Sequence, residues 1–322
     1  MPLAVGARAR SGSRRLGPNE AGPVFLAKVR CMPSNNEPNG SRITVVGIGA
    51  SAGGLDALRT FFAALPPDLG VAYVVVVHLA PDYESELARI LGRSTKMSVV
   101  EVRDHQELEL KANCVYVIAP ARKLVATPTT VTAVSFDDER ERRAAIDVFF
   151  RSLAATHGDG FAVVLSGGGS DGALGARAVK EAGGMVLVQD PREAAHEAMP
   201  RAAIAAQIAD IVAPVGELAE RLAELVRHGR TMAPLIDGAR SPTPESDETV
   251  LRRIFDLVRS RTGHDFTRYK RPTILRRLGR RLQLSHRSDL DHYLALLRES
   301  PESSSARPPP RCHCRPRRFR RC

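Results

Sequence analysis

A doubly wound α/β domain with a mostly parallel sheet, followed by a small all-α segment, is the fold class predicted for this 322-residue chain. Three observations predict it. Short apolar, β-branched runs alternate with stretches of helical periodicity between residues 41 and 230. The run Ala72–Val77 is apolar without a break, as expected of a strand covered on both faces. Several runs lead straight into a small-residue turn and then a helix, the order that builds parallel strands with right-handed crossovers.

The elements follow in order. Residues 1–40 are rich in Gly, Pro, Arg, Ser and Asn without period, and disorder is expected there. Ile43–Ile48 reads as the first strand, and Gly47 to Gly54 as a tight turn. Leu55–Leu65 has apolar residues at helical spacing and stops before Pro66-Pro67. Ala72–Val77 is the second strand, and Ser85–Leu91 a short helix. Residues 98–134 hold several β-like pieces, including Val115–Ile118 and a hairpin around Pro128. Ala144–His157 is an amphipathic helix, Phe161–Leu165 a buried strand, Ala173–Ala182 a helix after a glycine-rich turn, Met185–Val188 a strand and Glu217–His228 a closing helix. Domain bounds follow: a main domain at 41–230, a linker at 231–248, a helical basic segment at 249–300 and a disordered tail at 301–322. The tail has the composition of GC-rich coding sequence read out of frame, so a shifted or truncated reading frame is expected there.

Charge narrows the function classes. The net charge is +11, but it is unevenly placed. Residues 1–40 carry six Lys/Arg against two Asp/Glu, and 301–322 seven against one. Residues 250–300 carry thirteen against five, whereas 41–249 carry 21 against 28 and are acidic. A global electrostatic attraction to nucleic acid therefore fails for the main domain, and no nucleic-acid partner is expected. The five cysteines show no disulfide framework or zinc spacing. Cys114 reads as a core residue, and a reduced protein is expected. No secretory signal is visible and the apolar run Val71–Val77 is too short to span a bilayer, so a cytoplasmic protein without membrane insertion is expected.

Three motifs carry chemistry. In VVGIGASAGG, Ser51 stands in a turn between strand and helix, where small neighbours let a substrate approach. Alone, this motif favours a dinucleotide loop, and a helix N-cap is the plainer alternative. The second strand, VVVVHLAP, ends in His78 rather than the acidic residue that a dinucleotide site wants. A parallel neighbour would put this imidazole beside the Ser51 turn as a general base. In VVLSGGGSDGALG, Asp171 precedes a helix. It can orient a histidine, cap the helix, or both. The surrounding glycines offer backbone donors suited to an oxyanion or to a phosphate, but the P-loop lysine is absent.

Together these segments resemble the catalytic domain of the chemotaxis receptor methylesterases, the CheB family. The likeness runs over residues 42–230 through GIGASAGGLDAL, VVVVHLAPDYESELARIL, VYVIAP, AIDVFFRSLA, SGGGSDGALGARAVKEAGG and EAMPRAAI. It implies a triad of Ser51, His78 and Asp171, and an oxyanion site formed by backbone of Ala52, Gly167, Gly168 and Gly169. It further implies hydrolysis of glutamate methyl esters, often with glutamine deamidation, on cytoplasmic helices of methyl-accepting receptors or related sensory proteins. Neither metal nor organic cofactor is implied. Two departures stand out. The family's TGMGxDG loop carries a methionine where this chain has Gly168, and the usual receiver domain has no counterpart in residues 1–40. A catalytically weak regulatory or receptor-binding module is the alternative. The segment LRRIFDLVRSRTGHDFTRYKRPTILRRLGRRLQL resembles the N-terminal helical domain of the CheR methyltransferases. Its Lys270, Arg271, Arg276, Arg277, Arg280 and Arg281 are a candidate docking face for acidic receptor helices.

Overall fold

A computed structural model describes residues 43–78, 86–236, 244–263, 278, 281–282 and 290–299. The predicted disordered ends, 1–40 and 301–322, lie outside the described residues. The main sheet has seven strands in the order β10-β9-β8-β1-β2-β5-β3, every neighbouring pair parallel. They are β1 (Val45–Ala50), β2 (Ala72–Val77), β3 (Ser98–Val102), β5 (Cys114–Ile118), β8 (Phe161–Val164), β9 (Met185–Gln189) and β10 (Ile211–Ala213). A three-stranded antiparallel sheet, β4 (Glu107–Glu109), β7 (Thr130–Val134) and β6 (Lys123–Ala126), carries the hairpin predicted around Pro128.

The direction of winding reverses at β1, which pairs with β2 on one side and β8 on the other. Such a reversal opens a crevice beyond the carboxyl ends of the strands, where α/β folds place their ligands. Alternation along β1 fixes what covers each face. Val46, Ile48 and Ala50 join a core with Leu58, Phe61 and Phe62 of α1 (Gly54–Ala64) and Leu218, Leu222 and Val226 of α7 (Val215–Ile236). Gly47 and Gly49 point the other way, at α4 (Ala145–Thr156). A Cβ on Gly47 would stand 2.8 Å from Phe149 Cε1, and one on Gly49 2.4 Å from Ile146 Cγ2. These two glycines are therefore packing surfaces for a helix and not a phosphate loop, which removes the basis of the dinucleotide reading. Gly49→Ala is expected to cost about 1–3 kcal/mol by overpacking. Thermal unfolding should show that this loss and that of Ile146→Ala sum to less than additivity, because the second change removes the clashing methyl.

The remaining helices are α2 (Leu87–Leu91), α3 (Glu139–Arg143), α5 (Ala173–Ala182), α6 (Ala198–Ala205), α8 (Pro244–Thr262) and α9 (Leu290–Glu299). Helix α3 is capped by Asp138, whose side chain accepts from the N–H groups of Arg140 and Glu141. Two expectations need correction. Helices enter the stretch read as linker from both sides, since α7 runs to Ile236 and α8 starts at Pro244. Cys114 is buried in β5 as expected of a core residue, but it is disulfide-bonded. In the C-terminal segment, Val250, Leu251 and Ile254 pack with Leu278, Leu282, Tyr293, Leu294 and Leu297. The Arg261 guanidinium donates to the carbonyls of Leu297 and Arg298, satisfying the last turn of α9. No helix among the described residues is long and apolar enough to cross a membrane.

Candidate active site

Ser51 follows β1 and precedes α1. The chain turns there because Gly53 takes a left-handed conformation, φ 68°, and because it has no side chain. A Cβ at Gly53 would lie 2.6 Å from Ala195 Cβ and 3.0 Å from Ser166 Oγ. The turn is held by bonds from Ser51 N–H to the Ser166 carbonyl, 2.9 Å, and from Gly54 N–H to the Ser51 carbonyl, 2.8 Å. The hydroxyl is left to the crevice. His78 leaves the end of β2, whose last residue, Val77, pairs with Ala50 at the end of β1. That register brings His78 Nδ1 to 3.1 Å from Ser51 Oγ.

Asp171 closes the line from the other side. Its Oδ2 stands 2.9 Å from His78 Nε2. The Nε2 atom is buried and its N–H direction does not meet that oxygen at hydrogen-bond angles, so a small ring rotation would be needed to align them. Such alignment commonly tightens only when substrate binds. The carboxylate is buried and fixed by three backbone donors. Ile146 N–H gives to Oδ2 at 2.9 Å, while Asp147 N–H at 2.9 Å and Gly172 N–H at 2.8 Å give to Oδ1. Two of these donors belong to the first turn of α4, whose unpaired N–H groups and dipole favour a negative charge. The close approach of α4 to Gly47 and Gly49 thus sets the position of Asp171.

In the familiar protease triad, Nε2 takes the serine proton and Nδ1 faces the aspartate. Here the ring is turned around. For Nδ1 to accept a proton, the neutral imidazole must carry its own proton on Nε2, towards Asp171.

The proposed oxyanion donors separate into two kinds. Gly167 N–H is already given to the His196 carbonyl at 3.0 Å, which corrects its assignment as a free donor. The amides of Ala52, Gly168 and Gly169 make no bond to another described residue, and all three residues are exposed. A Cβ at Gly168 would meet nothing within 4 Å, so the side chain found there in the family loop would have room. Of the six candidate docking residues, Lys270, Arg271, Arg276, Arg277 and Arg280 lie outside the described residues. Arg281 is exposed, and its charge acts on Tyr293, whose hydroxyl pKa is raised mainly by burial.

Sequence reasoning missed three supporting residues. The Ser166 N–H donates to Gln189 Oε1 at 2.8 Å and its hydroxyl donates to the Ala52 carbonyl at 2.9 Å, so β9 braces the nucleophile turn. Gln189, a polar end to the apolar strand MVLVQ, was a readable signal. Asp147 is buried, takes Gly175 N–H at 2.6 Å, and so ties α4 to α5. Burial, with the Asp171 charge in addition, raises its pKa. A carboxyl group whose folded pKa exceeds its unfolded one penalises the fold above the folded value, and the penalty fades as pH falls through it. Asp147→Asn keeps an acceptor for Gly175 and loses the charge. Its melting temperature is expected to exceed that of the parent near ~pH 8 and to lose this advantage towards ~pH 4, which a melting series would read directly.

A hydroxyl, an imidazole and a buried carboxylate in one line, at the switch point of a parallel sheet, define the class of the α/β serine hydrolases. The family model described as CheB methylesterase matches residues 46–222. The chain belongs to this family. A second model, the CheR methyltransferase all-alpha domain, matches residues 250–306. A crystal structure of the Thermotoga maritima CheB methylesterase catalytic domain superposes with a TM-score of 0.53 at 29% identity, covering 57% of this chain and all of that one. A putative protein-glutamate methylesterase/protein-glutamine glutaminase of Leptospira interrogans is 34% identical over 175 residues, 54% of this chain and 90% of that protein. An uncharacterized 104.1 kDa protein of Rhodobacter capsulatus is 36% identical over 229 residues, 66% of this chain but only 24% of that protein. A protein-glutamate methylesterase/protein-glutamine glutaminase of Geobacillus kaustophilus is 35% identical over 189 residues, and the chain spans 53% of its length.

Proposed function

We propose that residues 41–230 form a protein-glutamate methylesterase that acts in the cytoplasm on helices of methyl-accepting receptors or related sensory proteins. The observation that carries this reading is the 3.1 Å approach of His78 Nδ1 to Ser51 Oγ, with Asp171 2.9 Å behind the ring. His78 takes the Ser51 proton as the oxygen attacks the ester carbonyl. Amides of Ala52, Gly168 and Gly169 face the developing oxyanion. His78 then gives its proton to the leaving methoxide, and methanol departs. Water, deprotonated by the same ring, cleaves the acyl-enzyme and restores Ser51. Glutamine deamidation uses the same steps with ammonia as the leaving group. Asp171 orients the imidazole and balances its charge. The basic segment 249–300, with Lys270, Arg271, Arg276, Arg277, Arg280 and Arg281, serves as a docking element for acidic receptor helices, an assignment supported by its charge.

The test is methanol release from a methylated receptor fragment by the full chain, together with labelling by a fluorophosphonate probe. Release of methanol and a probe adduct on Ser51 are expected. A chain that yields neither is a binding module, a reading favoured only by the open, methionine-free loop at Gly168.

A further inference from the structure

A cavity of about 260 Å³ opens beside His78. It is smaller than the ~300–1,000 Å³ usual for a small-molecule or cofactor site, and suits one or two side chains of a peptide. Ile118 and Phe136 contribute apolar wall, and the charged wall consists of Arg122, Arg142 and Arg143, without any carboxylate. The acidic partners of Arg122 and Arg142 are not part of the cleft lining. Arg122 Nη2 donates to Asp104 Oδ2 at 2.6 Å and Nη1 to the Ala121 carbonyl at 2.9 Å. Arg142 pairs with Glu139 at 3.1 Å. Arg143 Nε reaches the Glu139 carbonyl at 3.3 Å, and no carboxylate among the described residues pairs with it.

Two features show that this wall is built. Arg122 Nε is buried without an acceptor among the described residues, an unmet donor that costs free energy, while other atoms of the side chain remain exposed. The residue before it, Ala121, has φ 54°, a left-handed backbone that a non-glycine side chain rarely adopts. The opposite wall is fixed from behind. Lys123 Nζ, nearly buried, binds Asp137 at 2.8 Å and also Glu141 of α3, the helix that carries Arg142 and Arg143.

A glutamate methyl ester is uncharged before reaction, so guanidinium groups beside the imidazole find no ion-pair partner in the bound ester itself. They match carboxylates next to it. We propose that the Arg122–Arg142–Arg143 cleft binds free carboxylates of an acidic helical segment flanking the ester, so that the enzyme prefers esters whose neighbouring glutamates are unmodified. This rests on the methylesterase reading for its biological meaning, but it is testable without turnover.

The experiment measures binding of the full chain to an ester-free helical peptide rich in glutamate, and to its Gln-for-Glu counterpart, by fluorescence anisotropy at two salt concentrations. Arg143→Gln is the first variant, since that side chain is exposed, and Arg122→Gln the second. The parent is expected to bind the acidic peptide at least ~10-fold more tightly than the neutral one, with each substitution weakening it by roughly 10-fold and lessening the salt dependence. Equal affinity for both peptides overturns the proposal. So does acidic-peptide affinity that neither substitution changes, which would assign binding to the basic C-terminal segment. Peptide binding as expected with no methanol release would overturn the methylesterase reading and leave the cleft assignment standing.

Discussion

Ser51→Ala is expected to lower methanol release from a methylated receptor fragment by roughly 10⁶-fold while leaving the fold intact. The asymmetry follows from what the side chain touches. Its Oγ has His78 Nδ1 as its hydrogen-bond partner, whereas the turn is held by main-chain bonds to Ser166 and Gly54 that alanine keeps. Thermal stability should therefore change by no more than ~0.5 kcal/mol. His78→Ala should inactivate to a similar degree, and the double variant should be no worse than either, because nucleophile and base act as one unit. A Ser51→Ala protein that still releases methanol at more than about a hundredth of the parental rate would place the nucleophile elsewhere.

The parts of this site that were readable from the chain are those fixed by strand adjacency. Ala72–Val77 is a continuous apolar run ending in a histidine, and a parallel neighbour of β1 had to deliver it next to Ser51; the observed register pairs Ala50 with Val77. Ala173–Ala182 was legible because Gly172 and Gly183 bracket a clean amphipathic period. Short elements such as β10 and α6 lack enough residues to show a period. Distances between non-neighbouring segments were not legible at all. Gly47 and Gly49 looked like a phosphate loop because sequence does not reveal that Ile146 and Phe149 would press on them. The choice of ring nitrogen at His78 and the arginine cleft each depend on how the second, antiparallel sheet and α4 come to rest on the first.

Asp171 tests that dependence, because one carboxylate serves both the helix and the ring. In Asp171→Asn, one oxygen becomes an NH₂ group. Placing it at Oδ1 would set a donor against the N–H groups of both Asp147 and Gly172, whereas placing it at Oδ2 opposes only that of Ile146. The second orientation is therefore favoured, and it puts a donor beside His78 Nε2. The ring answers by making Nε2 an acceptor and moving its proton to Nδ1, which then can no longer take the Ser51 proton. Activity is expected to fall by about 10⁴-fold, and stability by about 1–3 kcal/mol for the one amide left unpaired. Asp171→Ala should be less stable than Asp171→Asn, since all three backbone donors lose their acceptor, yet it imposes no wrong tautomer and should be no less active. Melting curves and methanol release on the two variants separate the roles. If activity simply follows stability across parent, Asn and Ala, then Asp171 is a helix cap and its orientation of His78 is refuted.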